Sequence, residues 1–199
     1  QGASGRVYPI PYCDGISDEK TDVEYETYTL ENEYVKTQVV PALGGKILRG
    51  FDKIGNYDFI YYNEVVKPAL VGLAGPWISG GIEFNWPQHH RPTTFMPLEA
   101  VEEDNPDGGK TVWTGEVEPF GRMKGMAGIT VDKGRSYIKA KVRVYNRTAF
   151  PQVFMWWANL AVPVNNAYRT VFPPDCEWVN DHDRRAVLEW PIAKGLYKT

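Results

Sequence analysis

Residues 137–145 read YIKAKVRVY, and the alternation in this stretch decides the fold class. Ile138, Ala140, Val142 and Val144 interleave with Lys139, Lys141 and Arg143. Successive side chains of an extended strand point to opposite faces, so a period of two predicts one buried face and one solvated face. Residues 126–131 precede it across Asp132-Lys133-Gly134-Arg135, and the two runs are expected to form a hairpin. Working outward, strand-like runs recur at 25–30, 34–40, 46–51, 57–62, 111–118, 152–164 and 168–172. Turn chemistry separates many of them, as in Pro41-Ala42-Leu43-Gly44-Gly45. No stretch carries a capped apolar face at i, i+3, i+4 and i+7. The expectation is an all-β chain folded as an antiparallel β-sandwich.

Composition agrees and excludes several classes. The 199 residues are 43% apolar and 24% charged, which is ordinary for a globular protein. Lys and Arg number 22 against 25 Asp and Glu, so binding of nucleic acid through bulk charge is not expected. No apolar run approaches the roughly 18 residues that a membrane span needs, and residues 1–20 lack the regions of a targeting segment. Seven Trp, twelve Tyr, 19 Gly and 15 Pro suit short strands joined by frequent turns. Cys13 and Cys176 are too few for a disulfide framework or a Cys-rich zinc site; one bridge and two free thiols both stay open. Residues 1–24 read as an extended arm and 25–199 as the sandwich domain. Residues 189–199 carry no terminating signal, so either the domain closes there or it is the N-terminal part of a larger one, incomplete at its C-terminus.

The chemistry concentrates in residues 63–97, which do not read as regular structure and are long for a loop in a compact domain. Their centre, residues 75–97, reads GPWISGGIEFNWPQHHRPTTFMP. Trp77 and Trp86 offer flat apolar platforms to a sugar ring. Glu83, Asn85, Gln88, His89, His90 and Arg91 supply planar or charged partners for hydroxyls. A lid capping the sandwich would use the same composition. Two of the chain's three histidines are adjacent here, and histidine is the side chain poised to titrate near neutral pH. Neighbours in an extended segment face opposite ways, so one of His89 and His90 is expected at a ligand. Adjacent histidines without a third ligand do not fit a zinc site; no metal and no cofactor is expected.

A second constellation lies in residues 155–175. Trp156 and Trp157 are neighbours, so one is expected in the core and the other at a groove, with Asn159 on the same strand. Arg169 could clamp a ligand or form a structural ion pair. Residues 181–185, DHDRR, read as a solvated loop.

The runs ENEYVKTQVVPALGGKILRGFDK, KPALVGLAGPWISGGIEFNWPQHHRPTTFMP, YNRT, WWANLAVPVN and FPPD resemble a bacterial domain of unknown function found ahead of tetratricopeptide-repeat arrays. That domain is in turn similar to the galactose mutarotase-like superfamily. The resemblance implies a large antiparallel supersandwich that binds carbohydrate and a protein partner reached through repeats outside these residues; a glycan-facing role in turn suggests an extracytoplasmic place. In that superfamily an early histidine follows a Gly-Gly motif, which His89 or His90 after Gly80-Gly81 matches. A second histidine lies where this chain has Trp156, Trp157, Ala158 and Asn159, and the basic glutamate comes later than residue 199. The general acid and base of a mutarotase are therefore replaced or absent.

Three functions follow. The first is carbohydrate binding through Trp77, Asn85, Trp86, Gln88, Arg91, Trp157, Asn159 and Arg169. The second is glycoside chemistry, hydrolysis or epimerisation, with Glu83 and His89 or His90 as catalytic groups and Asp58, Asp175 or Glu177 as a second carboxylate. The third is a protein-interaction module presenting exposed aromatics.

Overall fold

The computed structural model describes residues 17–71, 75–87, 90–91, 93–119, 121–181, 186–192 and 194. The chain falls into two compact units, Gln1–Pro163 and Val164–Thr199. In chain order the first unit contains β1 (Tyr28–Glu31), β2 (Val35–Val40), β3 (Lys46–Asp52), β4 (Tyr57–Asp58), β5 (Pro68–Val71) and β6 (Gly75–Ile78). It continues with β7 (Ile82–Asn85), β8 (Glu99–Asp104), β9 (Lys110–Val117), β10 (Lys124–Thr130), β11 (Lys139–Tyr145) and β12 (Trp157–Leu160). Among the described residues the only helical piece is a 3-10 turn at Pro41–Leu43. None forms a helix long and apolar enough to cross a membrane.

The strands form an antiparallel sandwich. The first sheet runs β1-β2-β3-β7-β12, with β4 attached to β3; the second runs β11-β10-β9-β8, and β5 and β6 form a separate ribbon. Val39, Ile47, Phe84 and Trp86 from the first sheet meet Val112, Ala127 and Ile129 from the second in one cluster, none more than 2% exposed. Burying side chains such as Val39, Ile47, Phe84 and Ile129 contributes roughly 1.5–3 kcal/mol each, which holds the two sheets face to face. The indole of Trp86 lies so close to Gly125 that a Cβ there would stand 2.4 Å from the ring, so the close approach requires glycine. The far face of the first sheet is also covered. Val40, Leu43 and Ile78 make a smaller cluster there, with Leu48 and Phe95 packed against it.

The expected hairpin is present, with Ile129 paired to Ala140 and Ala127 to Val142. Its burial differs from the expectation. Ala127 and Ile129 are at most 1% exposed, whereas Val142 and Val144 are 40% and 45% exposed. β11 stands at the edge of its sheet, where Val142 and Val144 stay partly exposed although their partners on β10 are buried. Residues 63–97 also differ from the irregular loop expected, because they contain β5, β6 and β7. Gly and Pro interrupt strands there that are only four residues long, too short for periodicity to register. The strand expected over 152–164 is restricted to β12, and 168–172 forms none.

In the second unit β13 (Trp178–Asn180) pairs with β14 (Val187–Glu189), and the rings of Phe172 and Trp190 lie 4.5 Å apart. Cys176 is half-buried there. Cys13, the first sixteen residues of the expected arm and residues 182–185 lie outside the described residues.

A candidate polar site on the first sheet

The site begins with strand register. β12 pairs with β7 so that Asn159 stands opposite Glu83 and Trp157 opposite Asn85. Cross-strand partners share a face, which puts these four side chains together and sends Phe84 to the other side, into the core. The same alternation divides the two tryptophans. Trp156 stacks on Phe84 with centroids 6.0 Å apart, while Trp157 meets the His90 ring edge-on at 4.8 Å. On the other flank β3 pairs with β7 through Ile47 and Ile82. One residue along, on the opposite face, Lys46 therefore neighbours Glu83. A polar row, Lys46–Glu83–Asn159, crosses three adjacent strands.

Glu83 is 5% exposed. His90 Nδ1 lies 3.3 and 3.2 Å from its two carboxylate oxygens, a distance at which an Nδ1–H donates to them. Asn159 Nδ2 donates from 3.5 Å. Burial pushes the Glu83 carboxyl up, but the hydrogen bond and charge of His90, with Asn85 and Asn159, bring it below the ordinary carboxylate value. It is therefore ionised at neutral pH. Lys46 is 3% exposed, and its Nζ donates to the Ile78 carbonyl at 2.9 Å. Burial lowers its ammonium to about 8, and the nearby Glu83 charge opposes that shift. Trp157 Nε1 is buried in this region without a partner. Such atoms ordinarily find one, because leaving a buried donor unfilled costs roughly 1–3 kcal/mol.

Of the residues singled out from sequence, the fold brings together Glu83, Asn85, His90, Trp157 and Asn159. Arg91 is 1% exposed and structural in its contacts: its guanidinium donates to Gly44 O and Glu116 and lies 4.3 Å over Trp86. Trp86, expected as a sugar platform, is 1% exposed inside the core. Burial removes both from direct contact with a ligand. Trp77 is half-buried on the β5–β6 ribbon, and Arg169 is exposed in the second unit. Asp58 is engaged by Arg49 at 2.6 and 3.0 Å. Gln88 and His89 lie outside the described residues. No cluster of three or more metal-ligating side chains occurs among the described residues.

Sequence reasoning missed Lys46. A lysine opening a strand reads as solvated, and the signal lay elsewhere, in Gly80-Gly81. Gly81 has φ +73°, and a Cβ on it would stand 2.2 Å from Ile47 O and 3.1 Å from Lys46 Cε. That turn closes directly over the lysine side chain.

The class defined here is an all-β antiparallel sandwich with a buried polar row on the far face of its first sheet. Over residues 3–199 the sequence matches the family described as Domain of unknown function (DUF5107), and the chain belongs to that family. A solved structure, a TPR-domain containing protein from Parabacteroides distasonis ATCC 8503, is similar to it with a TM-score of 0.73 and 26% identity. The match covers 80% of this chain and 28% of that one, so this chain spans under a third of that protein's length.

Proposed function

We propose that this domain binds carbohydrate, and that the binding site is the cluster around Glu83, His90, Trp157 and Asn159. The observation that carries the reading is the ionised, buried Glu83 carboxylate held by His90 and Asn159 beside the Trp157 ring. A carboxylate accepts from sugar hydroxyls, amides both donate and accept, and an indole packs on the apolar face of a pyranose. The similarity to the galactose mutarotase-like superfamily belongs to the same proposal, as does the idea that the sandwich is the first part of a larger domain. Support for the latter is the uncovered inner side of β11, where Val142 and Val144 are exposed. The test is a saturation-transfer NMR screen against neutral mono- and oligosaccharides. Transfer to at least one sugar, lost in Trp157→Ala, is expected; no transfer to any sugar would contradict the reading.

A second reading has its own observation. The solved neighbour is a TPR-domain containing protein, and the exposed Phe150, Val153 and Met155 follow the open edge of β11. A protein-facing role would use this surface and leave the Glu83 cluster unaffected.

A further inference from the structure

We propose a further ligand site at the mouth of the sandwich between β1 and β8, which takes a small organic ammonium with an apolar body. It lies apart from the Glu83 cluster and stands whether or not that cluster binds sugar.

Two edge strands make the site. β1 ends the first sheet and β8 ends the second. Tyr28 pairs with the core residue Val39, and Leu30 follows two positions along on the same face. Both side chains therefore turn towards the second sheet and pack at the rim of the main core. Across from them, Glu102 pairs with the core residue Val112, and Asp104 pairs with Lys110 on that same face. An apolar pair on one sheet thus confronts two carboxylates and an ammonium on the other. Charged heads stay in water rather than close over Tyr28 and Leu30, because burying a charge is costly. The space between them is an open cavity of about 430 Å³. Sites for small ligands ordinarily measure roughly 300–1,000 Å³. Val112, 1% exposed, closes its floor. The other lining groups that matter are within reach of a ligand: Glu26, Glu102 and Lys110 are exposed, and Tyr28 and Leu30 are half-buried.

Charge decides the class of ligand. Lys110 Nζ lies 2.6 Å from Glu102 and 3.7 Å from Asp104, so one ammonium serves two carboxylates. Glu26 is a third carboxylate, and among the described residues it has neither an ion pair nor a hydrogen bond. Three negative charges and one positive meet at this mouth, which attracts a cation and repels an anion. The Tyr28 ring adds a cation–π partner, and Leu30 gives an alkyl chain an apolar wall. A bare metal ion would use the carboxylates and leave that wall empty, whereas an ammonium on a short alkyl chain uses both. Inward-pointing charges on an edge strand also hinder pairing with another chain. That role would employ Glu102 and Asp104, but not Glu26, which precedes β1.

The experiment is titration of the full chain with butylammonium, methylammonium and butyrate at constant ionic strength, followed through the backbone amide resonances. Butylammonium is expected to bind saturably, shifting the amides of Tyr28, Leu30 and Glu102 and leaving those of Glu83 and Asn159 in place. Methylammonium keeps the charge without the chain and should bind at least fivefold more weakly. Butyrate keeps the chain with the opposite charge and should shift none of these amides. Glu26→Gln, made at an exposed side chain, should melt as the native chain does and lose at least fivefold in affinity for butylammonium. No saturable shift with butylammonium would overturn the site, as would shifts centred on Glu83. Equal affinity for methylammonium and butylammonium, or binding of butyrate, would overturn the ligand class. Affinity within twofold of native in Glu26→Gln would overturn the part assigned to that carboxylate.

Discussion

Lys46 on β3 and Lys139 on β11 both stand on the side of a sheet that faces away from the main core. Lys46 is 3% exposed and has one carbonyl partner. Lys139 is 42% exposed at its side chain and paired with Asp132, which holds its ammonium above the ordinary value. The contrast extends to their surroundings. On the second sheet, Arg143 lies 4.1 Å over the Trp113 ring and 3.5 Å from Glu103, while Lys141 donates to Thr111. Polar groups there satisfy one another, the charged ones exposed and Thr111 and Thr130 buried. On the first sheet they are buried, and a donor is left open. Among the described residues, Trp157 Nε1 of the first sheet is a buried donor left without a partner.

Moving the Lys46 ammonium from 10.5 to about 8 corresponds to roughly 3 kcal/mol of destabilisation at neutral pH. Lys46→Met should therefore raise stability by about 2–3 kcal/mol at pH 7 in urea unfolding. Between about pH 8 and 10.5 the unfolded chain binds the proton that the folded chain has released. Native stability consequently rises through that window, and the advantage of the variant shrinks across it. Lys139→Met should show no comparable gain and no such window. An equal response from both lysines would break the distinction between the two faces.

A smaller effect concerns Glu83. Its carboxyl is held below its unfolded value, so its contribution is present above that value and is lost as pH falls through the folded one. Glu83→Gln should cost about 2 kcal/mol at pH 7, as expected when charged hydrogen bonds are lost. It should also flatten the acid limb of the stability curve below about pH 4.5. An unchanged acid limb would show that His90 and Asn159 do not stabilise the charge. The smallest effect belongs to the exposed face. Arg143→Ala should cost about 0.5–1 kcal/mol, mostly the stacking on Trp113, and should leave sugar binding untouched.

How much of this was legible from sequence depends on what kind of information each feature needs. Alternation in β11 gave the strand, its hairpin partner and the direction of each side chain. It could not give coverage, because whether Val142 is buried depends on what lies opposite an edge strand. Glu83, His90, Trp157 and Asn159 stand out by chemistry alone, but their meeting depends on β7 pairing with β12, which joins Glu83 to Asn159 76 positions later. Trp86 was misread because an indole suits a sugar and a core equally well, and only the approach of Gly125 decides between them. Lys46 was invisible for the opposite reason. Nothing local distinguishes a buried lysine from a solvated one, and its position follows from a sheet register and from a glycine turn 35 residues later.

We proposed that a sugar binds at the Glu83 cluster of the first sheet, and saturation-transfer NMR with the same sugar on native, Glu83→Gln and Arg143→Ala chains tests this most directly. Transfer is expected with the native chain and with Arg143→Ala, and its loss with Glu83→Gln while that variant stays folded. Undiminished transfer with a folded Glu83→Gln variant would contradict it.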